Sequence, residues 1–82
     1  MPRYFLHIQD GADLLHDPDG QEFASLEAAQ DEAMHVAREL MADSLRAGRP
    51  LGPARAIVIA EENGIVLAEV TFESALPPEP LP

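Results

Sequence analysis

The chain has 82 residues, of which 15 are acidic and 5 basic, giving a formal net charge of −10. That length suits a single domain. Cysteine is absent, which excludes disulfides, thiolate zinc sites and a cysteine nucleophile. Every cation is an Arg and none are clustered, so no nucleic-acid phosphate footprint is expected. No apolar run approaches the ~20 residues of a membrane span. Met1-Pro2-Arg3 leads into a strand pattern without the apolar core of a signal peptide, so the expected compartment is the cytoplasm.

Arg3 to Gln9 is rich in aromatic and β-branched residues and predicts a first strand. Asp10-Gly11 then predicts a two-residue hairpin turn, with Ala12 to His16 returning as a short second strand. Asp17-Pro18-Asp19-Gly20 is a second turn, and Gln21-Glu22-Phe23 is a brief extended piece. Ser25 is the expected N-cap of a helix over Leu26–Ala47, with Glu27 in its first turn and Arg46 in its last. Gly48 ends the helix, and Pro50 and Pro53 forbid its continuation. Leu26, Ala29, Ala33, Val36, Ala37, Leu40 and Met41 fall on one side of that helix, and its polar residues on the other.

Ala54 to Glu62 and Ile65 to Phe72 flank Asn63-Gly64, the clearest hairpin signal in the chain. A two-residue turn there pairs Glu62 with Ile65, Ile59 with Ala68 and Ile57 with Val70. One face then carries Ile57, Ile59, Val66, Ala68, Val70 and Phe72, and the other carries Val58, Ile65, Leu67 and Glu69. The order is β-β-α-β-β. The expected fold is α+β: a single antiparallel four-stranded sheet with one amphipathic helix packed on one face. With the strands numbered in sequence, the order 2-1-3-4 keeps all neighbours antiparallel. The expected core is Leu6, Ile8, Leu26, Ala33, Ala37, Leu40, Ile57, Ile59, Val66, Val70 and Phe72. Residues 1–76 form the domain, and the four prolines in 77–82 and its approach make that end a disordered, polyproline-like tail.

The opening Met1-Pro2-Arg3-Tyr4-Phe5-Leu6-His7-Ile8 carries a resemblance. So do Asp10-Gly11, Asp17 to Gly20, the Ala-rich helix ending Asp43-Ser44-Leu45-Arg46-Ala47-Gly48-Arg49-Pro50, Glu61-Glu62-Asn63-Gly64 and Val70-Thr71-Phe72. Together they resemble a family of short bacterial proteins opening MPRYFFHI and catalogued as a domain of unknown function. Leu6 stands where Phe is usual. The resemblance covers all but the Pro-rich tail; it implies an architecture and no catalytic residues.

Three groupings invite a metal reading. In the predicted first hairpin His7 and His16 share a face diagonally, which gives two imidazoles but requires further ligands, for which Glu62 or Glu69 are the nearest candidates. Asp31, His35 and Glu39 recur at i, i+4 and i+8 on the polar helix face, a spacing that solvated side-chain pairs also produce. Asp13, Asp17, Asp19 and Glu22 crowd one loop but lack the spacing of a calcium loop. Ser25, Ser44 and Ser74 lie in no nucleophile motif, and no Gly-rich phosphate loop is present, so no catalytic residue and no cofactor is expected.

The open sheet face offers Phe5, Leu14, Val58, Ile65 and Leu67 as a contact surface, and such a patch suits pairing of two copies about a two-fold axis. The expected function is therefore a non-catalytic, acidic protein-interaction module, homodimeric through that face, with another protein partner also possible and no nucleic acid or membrane. One alternative is a small metal- or ligand-binding protein using His7 and His16. Another is an acidic decoy for a basic protein, suggested by the eight carboxylates and single Arg of residues 1–32.

Overall fold

A computed structural model describes residues 1–48 and 55–75. The strands are β1 (Arg3–Asp10), β2 (Asp13–Leu15), β3 (Gln21–Glu22), β4 (Arg55–Glu61) and β5 (Val66–Thr71), with the helix α1 (Leu26–Arg46) between β3 and β4 and a single 3-10 turn at Glu73–Ala75. The sheet is antiparallel throughout and runs β2-β1-β4-β5. The long β strands thus take the expected order. β3 adds a fifth, two-residue strand on the outer edge of β1, beside β2. The Pro-rich tail expected at 77–82, and the prolines at 50 and 53, lie outside the described residues.

α1 begins where Ser25 turns out of extended backbone and its Oγ accepts the Ala28 N–H at 3.1 Å. It ends at Ala47, and Gly48 follows with φ +69°, a conformation that other residues adopt only with strain. Ala29, Ala33 and Ala37 are wholly buried where α1 crosses β4 and β5. Small side chains let the helix backbone approach the sheet closely, and Ile57 and Ile59 of β4 fill the space beneath it with no exposed surface. Tyr4, Met41, Val70, Phe72 and Ala75 complete the core, with Leu6, Ile8, Leu26 and Leu40 half-buried around it. Tyr4, Ala29, Met41 and Ala75 join the core beyond the expected residues, and Ala29 and Met41 lie on the predicted apolar side of the helix.

Val66 was expected in the core, yet it is 60% exposed. The cause is the second hairpin. Asn63 does not take positive φ, so no type I′ turn forms. Instead the Gly64 N–H donates to the Glu61 carbonyl at 2.9 Å and the Glu61 N–H donates to the Ile65 carbonyl at 3.0 Å. These bonds enclose a three-residue loop, Glu62-Asn63-Gly64, with Gly64 at φ +88°. The expected pairing of Glu62 with Ile65 is therefore not made. Ile57↔Val70 and Ile59↔Ala68 do pair as predicted, but Ala60 then pairs with Val66, leaving Leu67 as an extra residue. This bulge moves Val66 from the helix side to the side of Val58 and Ala60.

The first hairpin also differs. Asp10 pairs with Asp13, so the turn residues are Gly11 and Ala12, not Asp10 and Gly11. Gly11, at φ +63°, occupies the first central position, where a left-handed residue is needed. The pairing slips by two residues from the expected one. A slip of two preserves which side chains share a face, so His7, His16 and Leu14 remain together.

Candidate functional site: a groove on the open sheet face

α1 covers one face of the sheet. On the other, a shallow groove of about 370 Å³ is lined by Phe5 and His7 of β1, Leu14 of β2, His16 and Asp17, Val58 and Ala60 of β4, and Val66 of β5. Glu61, Glu62 and Gly64 close one end. The floor is apolar. Val58 and Ala60 are buried, while Leu14 and Val66 at the flanks are 42% and 60% exposed.

Of the five expected contact residues, Phe5, Leu14 and Val58 line this groove. Ile65 and Leu67 do not; both are exposed, but the bulge sets Val66 into the place expected for them. The two histidines come closer than the predicted diagonal. Their ring centroids are 4.9 Å apart in an edge-on arrangement, and Phe5 stacks alongside His7 at 6.3 Å with the ring planes 20° apart.

Asp17 organises this corner. Its Oδ1 accepts the N–H groups of Asp19 and Gly20 at 3.2 and 3.1 Å, the local pattern of an Asp-initiated turn. Its Oδ2 reaches across to accept the Leu6 N–H at 3.2 Å, and its own N–H donates to His7 Nδ1 at 3.0 Å. Leu6 and His7 lie in the stretch of β1 that neither β2 nor β3 pairs, so Asp17 stands in for the missing strand there. Arg3 ties the far end of the loop by donating to the Asp19 carbonyl at 3.0 Å. The Asp-Pro-Asp-Gly sequence announces the turn; nothing in it announces the bond to β1.

Burial pushes the Asp17 carboxyl up, but the N–H groups of Gly20, Leu6 and Asp19, with His7 nearby, outweigh it and hold the carboxyl below its ordinary 3.8. Burial, then the neighbouring His16, lower His7 below 6.5, against an opposing pull from Asp17. The hydrogen bond to Nδ1 fixes the tautomer. A backbone N–H can only donate, so Nδ1 presents its lone pair to Asp17 and the neutral ring carries its proton on Nε2. In the neutral ring neither nitrogen of His7 then has a lone pair free for a metal. Among the described residues no group of three or more His, Asp or Glu is placed to hold a metal ion. His35 pairs with Glu39 at 3.1 Å with both side chains well solvated, as helix neighbours commonly do. Ser25 caps α1, and the Ser74 hydroxyl donates to the Thr71 carbonyl at 2.7 Å.

Fold and groove together define a small α+β domain, one helix on one antiparallel sheet, whose open face carries an apolar channel edged by carboxylates. The chain belongs to the family described as Domain of unknown function (DUF6894), whose profile matches residues 3–73 and bears out the resemblance carried by the opening octet. No curated protein and no solved structure matches the chain. Among the described residues no helix is long and apolar enough to cross a membrane.

Proposed function

We propose that the chain is a small, non-catalytic protein-interaction module of the bacterial cytoplasm, and that a second copy of itself docks on the open sheet face. The observation that carries this reading is the groove, whose apolar floor is edged by exposed Leu14 and Val66 while α1 already occupies the opposite face. A domain of this size buries only ~60% of its unfolded surface and gains from covering a second face. A sheet face paired about a two-fold axis sets like patches against each other. The polar groups in the groove serve structure: Asp17 is occupied by backbone N–H groups and His7 by the Asp17 N–H.

A basic protein partner is the second reading. It is favoured by Asp17, Glu61 and Glu62 around the groove of a chain whose net charge is −10. Light scattering at roughly micromolar concentration tests the first reading. A dimer mass that becomes a monomer mass in Val66→Glu supports it. A monomer mass for the unaltered chain, or an unchanged dimer in both Val66→Glu and Leu14→Glu, rules the face out as a self-contact.

A further inference from the structure

We propose that His16–Gly20 is an acid-released latch on the outer edge of β1, and that its catch is the hydrogen bond from the Asp17 N–H to His7 Nδ1. Between the ladder of β2 at Ile8–Asp10 and that of β3 at Arg3–Tyr4, Asp17 closes the edge of β1 among the described residues. A proton arriving on His7 must go to Nδ1, because Nε2 already carries one. Two N–H groups then face each other across 3.0 Å, and the bond becomes a repulsion. The new imidazolium attracts the Asp17 carboxylate, which at present holds the N–H groups of Leu6, Asp19 and Gly20. One proton therefore loosens both strands of the latch's attachment.

The surroundings favour release over a simple re-pairing. His16, with its ring centroid 4.9 Å away, opposes a positive charge on His7. Glu61 and Glu62 lie at the end of the groove, and Glu69 of β5 stands opposite Val58, which is itself opposite His7. These carboxylates offer the imidazolium other partners on the open face. Arg3 is engaged with the Asp19 carbonyl and faces Glu22 at 3.9 Å. The residues of β1 that face α1, Tyr4, Leu6 and Ile8, bring no charge to the buried side of His7. Burial and His16 keep His7 neutral until the pH falls below 6.5, so the latch is shut at neutral pH.

Release has a defined consequence. Gly20 packs so closely on Phe5 that an added Cβ would lie 2.8 Å from its ring. Lifting residues 16–20 uncovers Phe5 and His7 and widens the groove. This inference does not depend on the dimer, because the latch and its catch lie within one chain.

The test is a pH titration by nuclear magnetic resonance on the full chain, diluted to a concentration at which light scattering gives a monomer mass. A nitrogen–nitrogen scalar coupling between Asp17 N and His7 Nδ1 is expected at neutral pH and lost as the pH falls through the lowered His7 value, with the Asp17, Asp19, Gly20 and Leu6 amides moving together while β4 amides stay in place. His7→Asn puts an acceptor oxygen near the Nδ1 position but cannot titrate, so its latch amides should hold still across the range. His16→Asn should keep the transition. Absence of the coupling at neutral pH overturns the proposal. So does unfolding of the whole chain before His7 titrates, a transition that survives in His7→Asn, or latch amides that stay fixed while His7 gains its proton. All but one of these outcomes are read on the unaltered chain, so failure of a variant to fold does not shelter the idea.

Discussion

Val66 sits opposite Ala60, one step out of the register that sets Ala68 opposite Ile59. That single offset decides which apolar residues of the second hairpin are core and which are surface. Ile59 has no exposed surface, and truncating a side chain in such a site costs both its burial and the cavity left behind. Ile59→Ala is expected to destabilise the fold by about 2–5 kcal/mol. Val66→Ala, at a position 60% exposed, should change it by less than about 0.5 kcal/mol. Urea midpoints compare the two. Equal losses would mean that Val66 is buried by the helix after all.

Two glycines separate conformational strain from steric strain. Gly64, at φ +88°, has nothing within 4 Å of an added Cβ, so Gly64→Ala should cost only the left-handed backbone, about 1–2 kcal/mol. Gly20, at φ +69°, carries the same backbone term plus a clash with Phe5 and Arg3 at 2.8 and 3.0 Å. Gly20→Ala should therefore lose more stability than Gly64→Ala and displace the Phe5 ring. Thermal melts and the Phe5 ring resonances supply the comparison.

Acid should weaken the fold in two stages. The folded state holds His7 below 6.5, so it favours the neutral ring. That contribution is whole above 6.5 and is lost as the pH falls through the lowered value. Asp17 is held below 3.8, so its contribution survives the first stage and is lost as the pH falls further, through that lowered value. Urea midpoints measured along the pH axis should show both stages, and His7→Asn should flatten the upper one alone. A midpoint that stays constant while the His7 ring gains its proton would contradict the first stage.

Salt distinguishes the two candidate occupants of the groove. Pairing two copies brings Asp17, Glu61 and Glu62 of one chain near those of the other, on molecules of net charge −10. Screening over a Debye length of ~10 Å at ~0.1 M salt should then tighten the dimer. A basic partner held by the same carboxylates should instead dissociate as salt rises. Sedimentation of the chain alone and co-purification from its host, each at low and high salt, give opposite signs for the two.

Much of the fold could be read along the chain because its signals are local. Ser25 and Gly48 bracket the helix through their own backbone preferences, and the alternation of Ile57 and Ile59 with Val58 marks a half-covered strand. The site was less legible. Phe5, Leu14, Val58, His7 and His16 could be assigned to one face from strand periodicity. Asn63-Gly64, however, fits both a two-residue turn and a three-residue loop ending in a left-handed Gly, and those options differ by one step in register. The two-residue reading puts Val66 under the helix, whereas the bulge turns it to the open face, where it is exposed.

The sequence by itself determined that these residues are acidic, cysteine-free and carry an amphipathic helix, because composition and period are properties of short segments. It also determined that His7 and His16 share a face, since a strand alternates its side chains whatever its register, provided the pairing slips by two. Only the tertiary structure decided that Asp17 would fill the gap in the edge of β1 and donate its N–H to His7. That outcome depends on where β2 stops and β3 starts along the same edge, a distance in space between residues about ten apart in sequence, which no local preference encodes.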